Sequence, residues 1–333
     1  MGTTTRTIAV TGATGFVGKY VLDRLLEESD LDVRCLIRRR SDAHRLEAKS
    51  SRVSTVLGDV CDLTSLSALV DGAWGVINLA GYRDFWSRDR GAYYALNAEG
   101  AENVFTASLE GRVRKVVQVS TPLAYGAPDR IPFDEASSPG PHPSDYARSK
   151  HLGDEAGWRL HRDGGLPLTV VHLAAVIGAG DPRPTMEVAR AVERRLPVLV
   201  GADTTYTYLY VGDAAEAIVR ALLLPQSLGR RYLIGTERAS TREYFELIGD
   251  IADVPVPRFN LPESALLPLA RVLEKAAAWT GRRPPLPVDI LKTTAAGSLV
   301  FDGNRAQKEL GMTYTSLRQA LEEAVEEIRA GSR

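Results

Sequence analysis

The hydrophobic pattern of this chain alternates between short apolar runs and longer amphipathic stretches. Thr7–Val10 is a β-branched run, and after it Val17, Val21 and Leu25 recur at spacings of four, on one face of a helix. Asp32–Arg38 alternates apolar and polar residues and reads as a second strand. Val53–Asp59 is a third, ending in an acid, and Gly75–Ala80 is a fourth. Helices are expected over Ser65–Val70 and, longer, over Arg90–Leu109. Val116–Ser120 and Leu168–Leu173 supply strands five and six, and between them Ser144 is placed to cap a helix that begins at Asp145. Strands alternating with helices, without internal repeats, predict an α/β chain built from βαβ units around a parallel sheet.

Beyond Gly178 the pattern loosens. Gly178–Pro184 reads as a loop, followed by a helix to about Arg195, a short strand over Pro197–Val200 and an extended segment over Tyr206–Val211. A helix over Asp213–Leu224 leads to a last sheet strand, Arg231–Ile234. The remainder is mostly helical, broken by prolines near Asp253–Pro257 and Arg283–Pro287; within it Ala265–Leu273 is apolar on more than one face and Trp279 follows. The expected division is a Rossmann-like doubly wound parallel sheet over residues 1–177 and 207–236, with a smaller, mainly helical C-terminal substrate lobe over 178–206 and 237–333.

Composition adds mainly exclusions. With 333 residues, 44% hydrophobic and 25% charged, the chain can bury a full core without metals or disulfides. A net charge of −1 gives no electrostatic reason to expect nucleic acid or an anionic membrane as partner. Cys35 and Cys61 lie far apart and show no zinc spacing, so no metal site is expected. The polar start, Gly2–Arg6, runs directly into the first strand without room for a signal peptide, and no apolar run approaches the ~18 residues of a membrane span. A cytoplasmic protein with a small-molecule partner is the expectation.

The chemistry begins at Thr11–Gly18, where strand, glycine turn and helix follow one another. Glycines at 12, 15 and 18 let backbone amides approach a pyrophosphate at the positive end of the helix, with Gly12, Thr14, Gly15, Phe16 and Val17 facing the cofactor. About 20 residues past the glycines an NAD-preferring fold places a carboxylate for the ribose 2′-hydroxyl. Here Arg38 stands there, followed by Arg39, Arg40 and Ser41. Guanidinium and hydroxyl groups pair with a 2′-phosphate, so NADP is expected over NAD, although a solvated basic loop has the same composition. Asp59 and Val60 would flank the adenine, with Asp59 accepting from its amino group or merely starting a turn. Ala80 and Gly81 end strand four beneath the cofactor.

Tyr146-Ala147-Arg148-Ser149-Lys150 sets a phenol and an ammonium at i,i+4 on one helix face. An unperturbed phenol titrates near ~10, and an adjacent cation lowers that towards the range useful for proton transfer. Strand five ends in Ser120-Thr121, which supplies a hydroxyl beside the phenol.

Together these stretches resemble the short-chain dehydrogenase/reductase superfamily in its extended, epimerase/dehydratase-like branch. The resemblance spans nearly the whole chain, from Thr11–Gly18 through Gly58-Asp59, Asn97–Val104, Ser120–Gly126 and Tyr146–Lys150 to Phe301-Asp302 and Glu309–Gly311. It implies Tyr146 as proton donor or acceptor, Lys150 as its activator and a holder of the cofactor ribose, and Thr121, five residues before Gly126, as the hydroxyl that orients the carbonyl. It also puts Asn97 near the cofactor, a position a helix-packing amide would equally fill. Dimerisation through the helices that carry Asn97 and Tyr146 is common in this family.

Departures from the nucleotide-sugar branch bear on substrate. His172–Ala179 lacks the arginine and both prolines of an R-P-x-x-V-Y-G-P segment, and Tyr206 stands where an arginine would hold a diphosphate, though Arg183 or Arg231 could replace it. Tyr82, Phe85 and Trp86 follow strand four at the nicotinamide end. The expected activity is therefore NADP-dependent reduction of a ketone or aldehyde, or oxidation of the alcohol, on an apolar or aromatic small molecule. The resemblance also extends to dihydroflavonol reductases, 3β-hydroxysteroid dehydrogenases and hopanoid-associated epimerase-like proteins. The alternatives are an NDP-sugar epimerase or dehydratase with tightly bound NAD(P), and a nonenzymatic NADP sensor.

Overall fold

The computed structural model describes residues 5–180, 190–191, 198–257 and 259–331. Seven strands form one sheet: β1 (Arg6–Thr11), β2 (Leu31–Ile37), β3 (Val53–Leu57), β4 (Gly75–Asn78), β5 (Lys115–Ser120), β6 (Leu168–Leu173) and, later in the chain, β10 (Arg231–Ile234). Their order is β10-β6-β5-β4-β1-β2-β3 and every pairing is parallel. Strands so buried need apolar residues on both faces. Ile8 and Val10 of β1 face one core and Ala9 the other; Val117 and Val116 of β5 divide in the same way.

Helices cover both faces. α1 (Phe16–Glu27) and, further on, α7 (Val211–Leu223) pack one side through Val21, Leu22, Leu25, Ile218 and Leu222. Between them in sequence come α2 (Ser41–Glu47), α3 (Ser67–Val70), α4 (Gly91–Tyr94), α5 (Gly100–Glu110) and α6 (Asp145–Gly164). α5 and α6 cover the other face through Val104, Phe105 and Trp158. The strand order reverses between β1 and β4, which opens a crevice at their C-terminal ends.

Two local expectations change. The long helix predicted over Arg90–Leu109 is interrupted by a wide π turn at Ala95–Glu99, where Gly153 of α6 packs against the Asn97 carbonyl so closely that a Cβ on Gly153 would lie 2.1 Å from that oxygen. The segment predicted as extended at Tyr206–Val211 is β9 (Thr205–Tyr210), and it belongs to a second sheet, β11-β9-β7, with β7 (Ala175–Ile177) and β11 (Glu237–Ser240). A two-stranded pair joins β8 (Leu199–Val200) and β12 (Asn260–Leu261).

α8 (Thr241–Ala252), α9 (Glu263–Thr280), α10 (Val288–Ala295), α11 (Asn304–Glu309) and α12 (Leu317–Gly331) complete the chain. Two separate apolar clusters hold the second lobe, one around Tyr244, Ile248 and Leu321, the other around Ala270, Val288 and Leu291. Phe301, Ala306, Leu310 and Met312 then return to the core of the large sheet. The helix expected to reach Arg195 falls outside the described residues except at Arg190 and Ala191, and Arg183 lies outside them altogether.

Candidate active site

The glycine turn is set by two close approaches. Gly12 has φ +71°, and a Cβ there would lie 2.8 Å from the Leu79 carbonyl carbon, so the turn can meet the end of β4 only without a side chain. Gly18, in the first turn of α1, would drive a Cβ to 2.2 Å from the Gly12 oxygen. Gly15 precedes the helix as its N-cap, donates its N–H to Gly12 O at 3.0 Å and provides no side-chain cap, and the first turn holds no acid. The first amides of a 12-residue helix thus point over a bare glycine turn, which fits the pyrophosphate of a dinucleotide. Phe16 is buried beside this turn, with the Arg83 guanidinium 5.8 Å from its ring centroid.

A buried polar row fixes the strand ends beneath. Thr11 donates to Asn78 Oδ1 at 2.6 Å and accepts from Ala80 N–H at 3.1 Å, while Asn78 donates to Gln118 Oε1 at 2.8 Å. β1, β4 and β5 are thereby tied at the level of the crevice. Asn97 is 1% exposed, accepts from Tyr82 N–H at 2.7 Å and donates to Tyr82 O and to Ser149 Oγ, each at 2.9 Å. Its amide clamps the Gly81-Tyr82 backbone to α6.

α6 carries the candidate chemistry on one face. Ser144 caps it, accepting from Ala147 N–H at 3.2 Å, as the sequence predicts. Tyr146 is half-buried, and the Phe85 ring meets its ring edge-on at 5.8 Å between centroids. One turn on, Lys150 is 5% exposed and donates to Val119 O at 2.7 Å; its ammonium also lies within 4 Å of where a Cβ on Gly81 would stand. Burial holds the Lys150 pKa below the ordinary lysine range, and the Asp154 carboxylate, one further turn along, opposes that shift.

Asp154 and its surroundings were not singled out from sequence. Its carboxylate accepts from Ser120 Oγ at 2.5 Å and lies 3.2 Å from His172 Nε2, all three groups being buried. The other carboxylate oxygen and His172 Nδ1 have no hydrogen-bond partner among the described residues. Two signals could have found them: an acid eight residues past Tyr146 on the same helical stripe, and a lone histidine in an otherwise apolar strand. With Ser120 committed to Asp154, Thr121 offers the half-exposed hydroxyl at this strand end; its Oγ1 accepts from Leu123 N–H at 3.4 Å.

At the nucleotide end Arg38 and Ser41 are exposed just past β2, and the Arg38 charge reaches Cys61, beside Asp59. Asp59 Oδ1 accepts from Cys61 N–H at 2.9 Å, a turn-forming bond, and Val60 O accepts from Asn103 at 2.9 Å. On the substrate side, Tyr82 and Trp86 are half-buried with Phe85 in one loop, and Tyr82 packs edge-on against Tyr93 at 5.0 Å. Tyr206 is separate from that loop. It donates to Thr294 at 3.3 Å and lines a cleft with Leu123, Ala127, Ile131, Pro143 and Leu299, and among the described residues no arginine or lysine lines it.

Residues 8–235 match the NAD dependent epimerase/dehydratase family. A protein of Synechocystis sp. named as a dihydroflavonol 4-reductase is 29% identical over 325 residues, 95% of this chain and 92% of that protein. Sterol demethylase protein B of Methylococcus capsulatus is 26% identical over 324 residues, 96% of this chain and 97% of that protein. The crystal structure of gox2253 superposes with a TM-score of 0.82 at 29% identity, covering 98% of this chain and 99% of that one. The doubly wound sheet agrees with what the matches say: the chain belongs to the NAD dependent epimerase/dehydratase family and is an NAD(P)-dependent oxidoreductase of the extended short-chain dehydrogenase/reductase type.

Proposed function

We propose that this enzyme uses NADP to reduce a ketone or aldehyde of an apolar or aromatic small molecule, or to oxidise the corresponding alcohol. The observation that carries the reading is the contact of Phe85 with Tyr146: the candidate proton-transfer phenol is walled by an aromatic ring, and no arginine or lysine is among the described residues that line the Tyr206 cleft. A sugar diphosphate would need guanidinium partners; an apolar carbonyl compound needs walls of this kind. The bound nicotinamide supplies the hydride. The chain's own residues do the rest in this reading. Gly12, Thr14, Gly15, Phe16 and Val17 receive the pyrophosphate, Arg38 and Ser41 the 2′-phosphate, and Asp59 and Val60 the adenine side. Ala80, held by Thr11, and Gly81, next to the Tyr82 backbone that Asn97 bonds, lie under the ribose that Lys150 bonds. Thr121 orients the substrate oxygen, Tyr146 Oη exchanges a proton with it, and Tyr82, Phe85, Trp86 and Tyr206 shape the pocket. Residues 1–177 and 207–236 form the cofactor half and the remainder the substrate lobe.

NADPH absorbance followed across a panel of aryl and alkyl ketones tests the reading. Net oxidation with at least one of them is expected. Changing Tyr146 to Phe should lower kcat by at least about a thousandfold while NADPH binds within about twofold of wild type. Full activity in that variant sinks the assignment of Tyr146. Turnover of a nucleotide sugar without net change in NADPH would instead establish an epimerase.

A further inference from the structure

α9 is apolar on two sides, and only one of them is used. Leu266, Leu267 and Ala270 pack inward with Val288, Leu291 and Leu286. The opposite stripe steps along the helix at Leu269, Val272, Ala276 and Trp279, spacings of three and four that keep one face. Leu269 is 52% exposed, Val272 63% and Trp279 91%. The charges on this helix are sorted in the same sense. Glu263 faces Gly201, and Glu274 accepts from Val288 N–H at 2.8 Å, so both acids point inward. Arg271 and Lys275 are exposed beside the apolar stripe, Arg282 is exposed just past the helix end, and no carboxylate is among the exposed positions of α9. A near-neutral net charge conceals this segregation.

We propose that the outer face of α9 docks on an anionic lipid bilayer, lying in the interface with Leu269, Val272 and Trp279 in the acyl region and Arg271 and Lys275 among the headgroups. An apolar stripe edged by cations and ending in tryptophan is the pattern of an in-plane interfacial helix. A second copy of the chain answers the apolar stripe but brings the same cations onto themselves, whereas anionic headgroups neutralise them. The attachment is peripheral, since no described helix is long and apolar enough to cross a membrane. It also lies beside the proposed substrate entrance. Arg283, three residues past α9, pairs with Asp84 at 2.9 Å, in the loop that carries Tyr82 and Phe85. A lipid-soluble carbonyl compound could then pass from the bilayer to the pocket. That last step rests on the proposed substrate class, but the docking does not.

The test is co-sedimentation of the whole chain with vesicles of phosphatidylcholine and phosphatidylglycerol in equal parts, against vesicles of phosphatidylcholine alone. Binding to the mixed vesicles is expected, at least tenfold stronger than to the neutral ones and reduced several-fold in 0.5 M salt, a concentration at which the Debye length falls to about 4 Å. The triple variant Leu269→Gln, Val272→Gln, Trp279→Gln should lose at least tenfold in binding. Arg271→Gln with Lys275→Gln, which spares the apolar stripe, should lose the preference for anionic lipid. On vesicles the tryptophan emission should shift to the blue in wild type and not in Trp279→Phe. Failure of wild type to sediment, or equal sedimentation by wild type and both sets of variants, overturns the proposal. So does a dimer in free solution that the triple variant dissociates, because the face is then covered by a second copy. Ketone turnover in detergent-free buffer scores the proposed chemistry separately.

Discussion

The large sheet and the second lobe are stabilised by different means. In the sheet half the strands Ile8–Val10 and Val116–Val117 are fully buried, and a continuous polar row, Thr11–Asn78–Gln118, locks the strand ends that face the crevice. The lobe has two separate apolar clusters of its own, and its later residues Phe301, Ala306, Leu310 and Met312 join the sheet core; near the site two ion pairs also cross to it: Arg90, which bonds Asp145 at the start of α6, reaches Asp289 of α10 at 3.2 Å, and Arg283 holds Asp84. The half proposed to hold the cofactor would need to do so to within fractions of an ångström, and dense packing with no alternatives does that. The other, proposed to fit the substrate, meets the site through polar ties, which can rearrange with less disturbance to the sheet than a repacked core.

Substitutions should therefore separate by half. The largest effect is expected from Gly18→Ala, because the added carbon meets backbone at Gly12 and neither partner can yield without moving the turn. Cofactor affinity should fall at least tenfold in a fluorescence titration and the fold should lose about 1–3 kcal/mol, the usual cost of overpacking; unchanged affinity would mean that the turn is not the cradle. A smaller, differently placed effect is expected for Arg90→Gln. Asp289 is 2% exposed and, among the described residues, would keep Lys292, at 3.9 Å, as its remaining ion-pair partner. KM for the carbonyl substrate should rise about fivefold and stability fall by about 1 kcal/mol, with the cofactor Kd within twofold, Arg90 being half in solvent. An equal loss of cofactor affinity would erase the distinction between the halves.

A third effect, silent in the site, probes the sheet alone. Burial beside Ser227 pushes the Lys115 amine down to about 8, so between that pH and the ordinary lysine value the unfolded chain binds more protons than the folded one. This group's penalty is therefore fully present below pH 8 and is relieved as pH rises towards 10.5. Lys115→Met should remove that rise. Denaturant titrations at pH 7.5 and 10 should show the difference between wild type and variant change by on the order of 2 kcal/mol, with no change in substrate KM.

The same contrast decides what the sequence reveals. Strand–turn–helix at Thr11–Gly18, the six early strands and the capped helix with Tyr146 and Lys150 are local patterns: period, cap and spacing sit within a dozen residues, and the structure has them where the pattern puts them. β11 reads Glu-Arg-Ala-Ser, and β12 is only Asn260-Leu261, so neither carries a strand signal; each exists because another strand pairs with it. The π turn at Asn97 depends on Gly153, more than fifty residues away. Asp154 and His172 come together from a helix and a strand, and nothing in either segment alone announces the other. What is written in one segment can be read; what two segments make by meeting has to be seen.

The stripe Tyr146, Lys150, Asp154 runs eight residues along α6, about 12 Å at 1.5 Å per residue. Over that length a single helix face passes from a half-buried phenol, through an ammonium sealed from water, to a buried carboxylate that meets the His172 imidazole of β6. Solvent screening falls from Tyr146 to the buried pair Lys150 and Asp154. Charge placed at the deep end is felt at the middle more strongly than the same charge at the surface would be. Beyond the phenol the helix thus acts as an insulator: a change as slight as one carboxylate oxygen at Asp154 should reach Lys150, and register as a shift in the pH profile of the chemistry proposed for Tyr146.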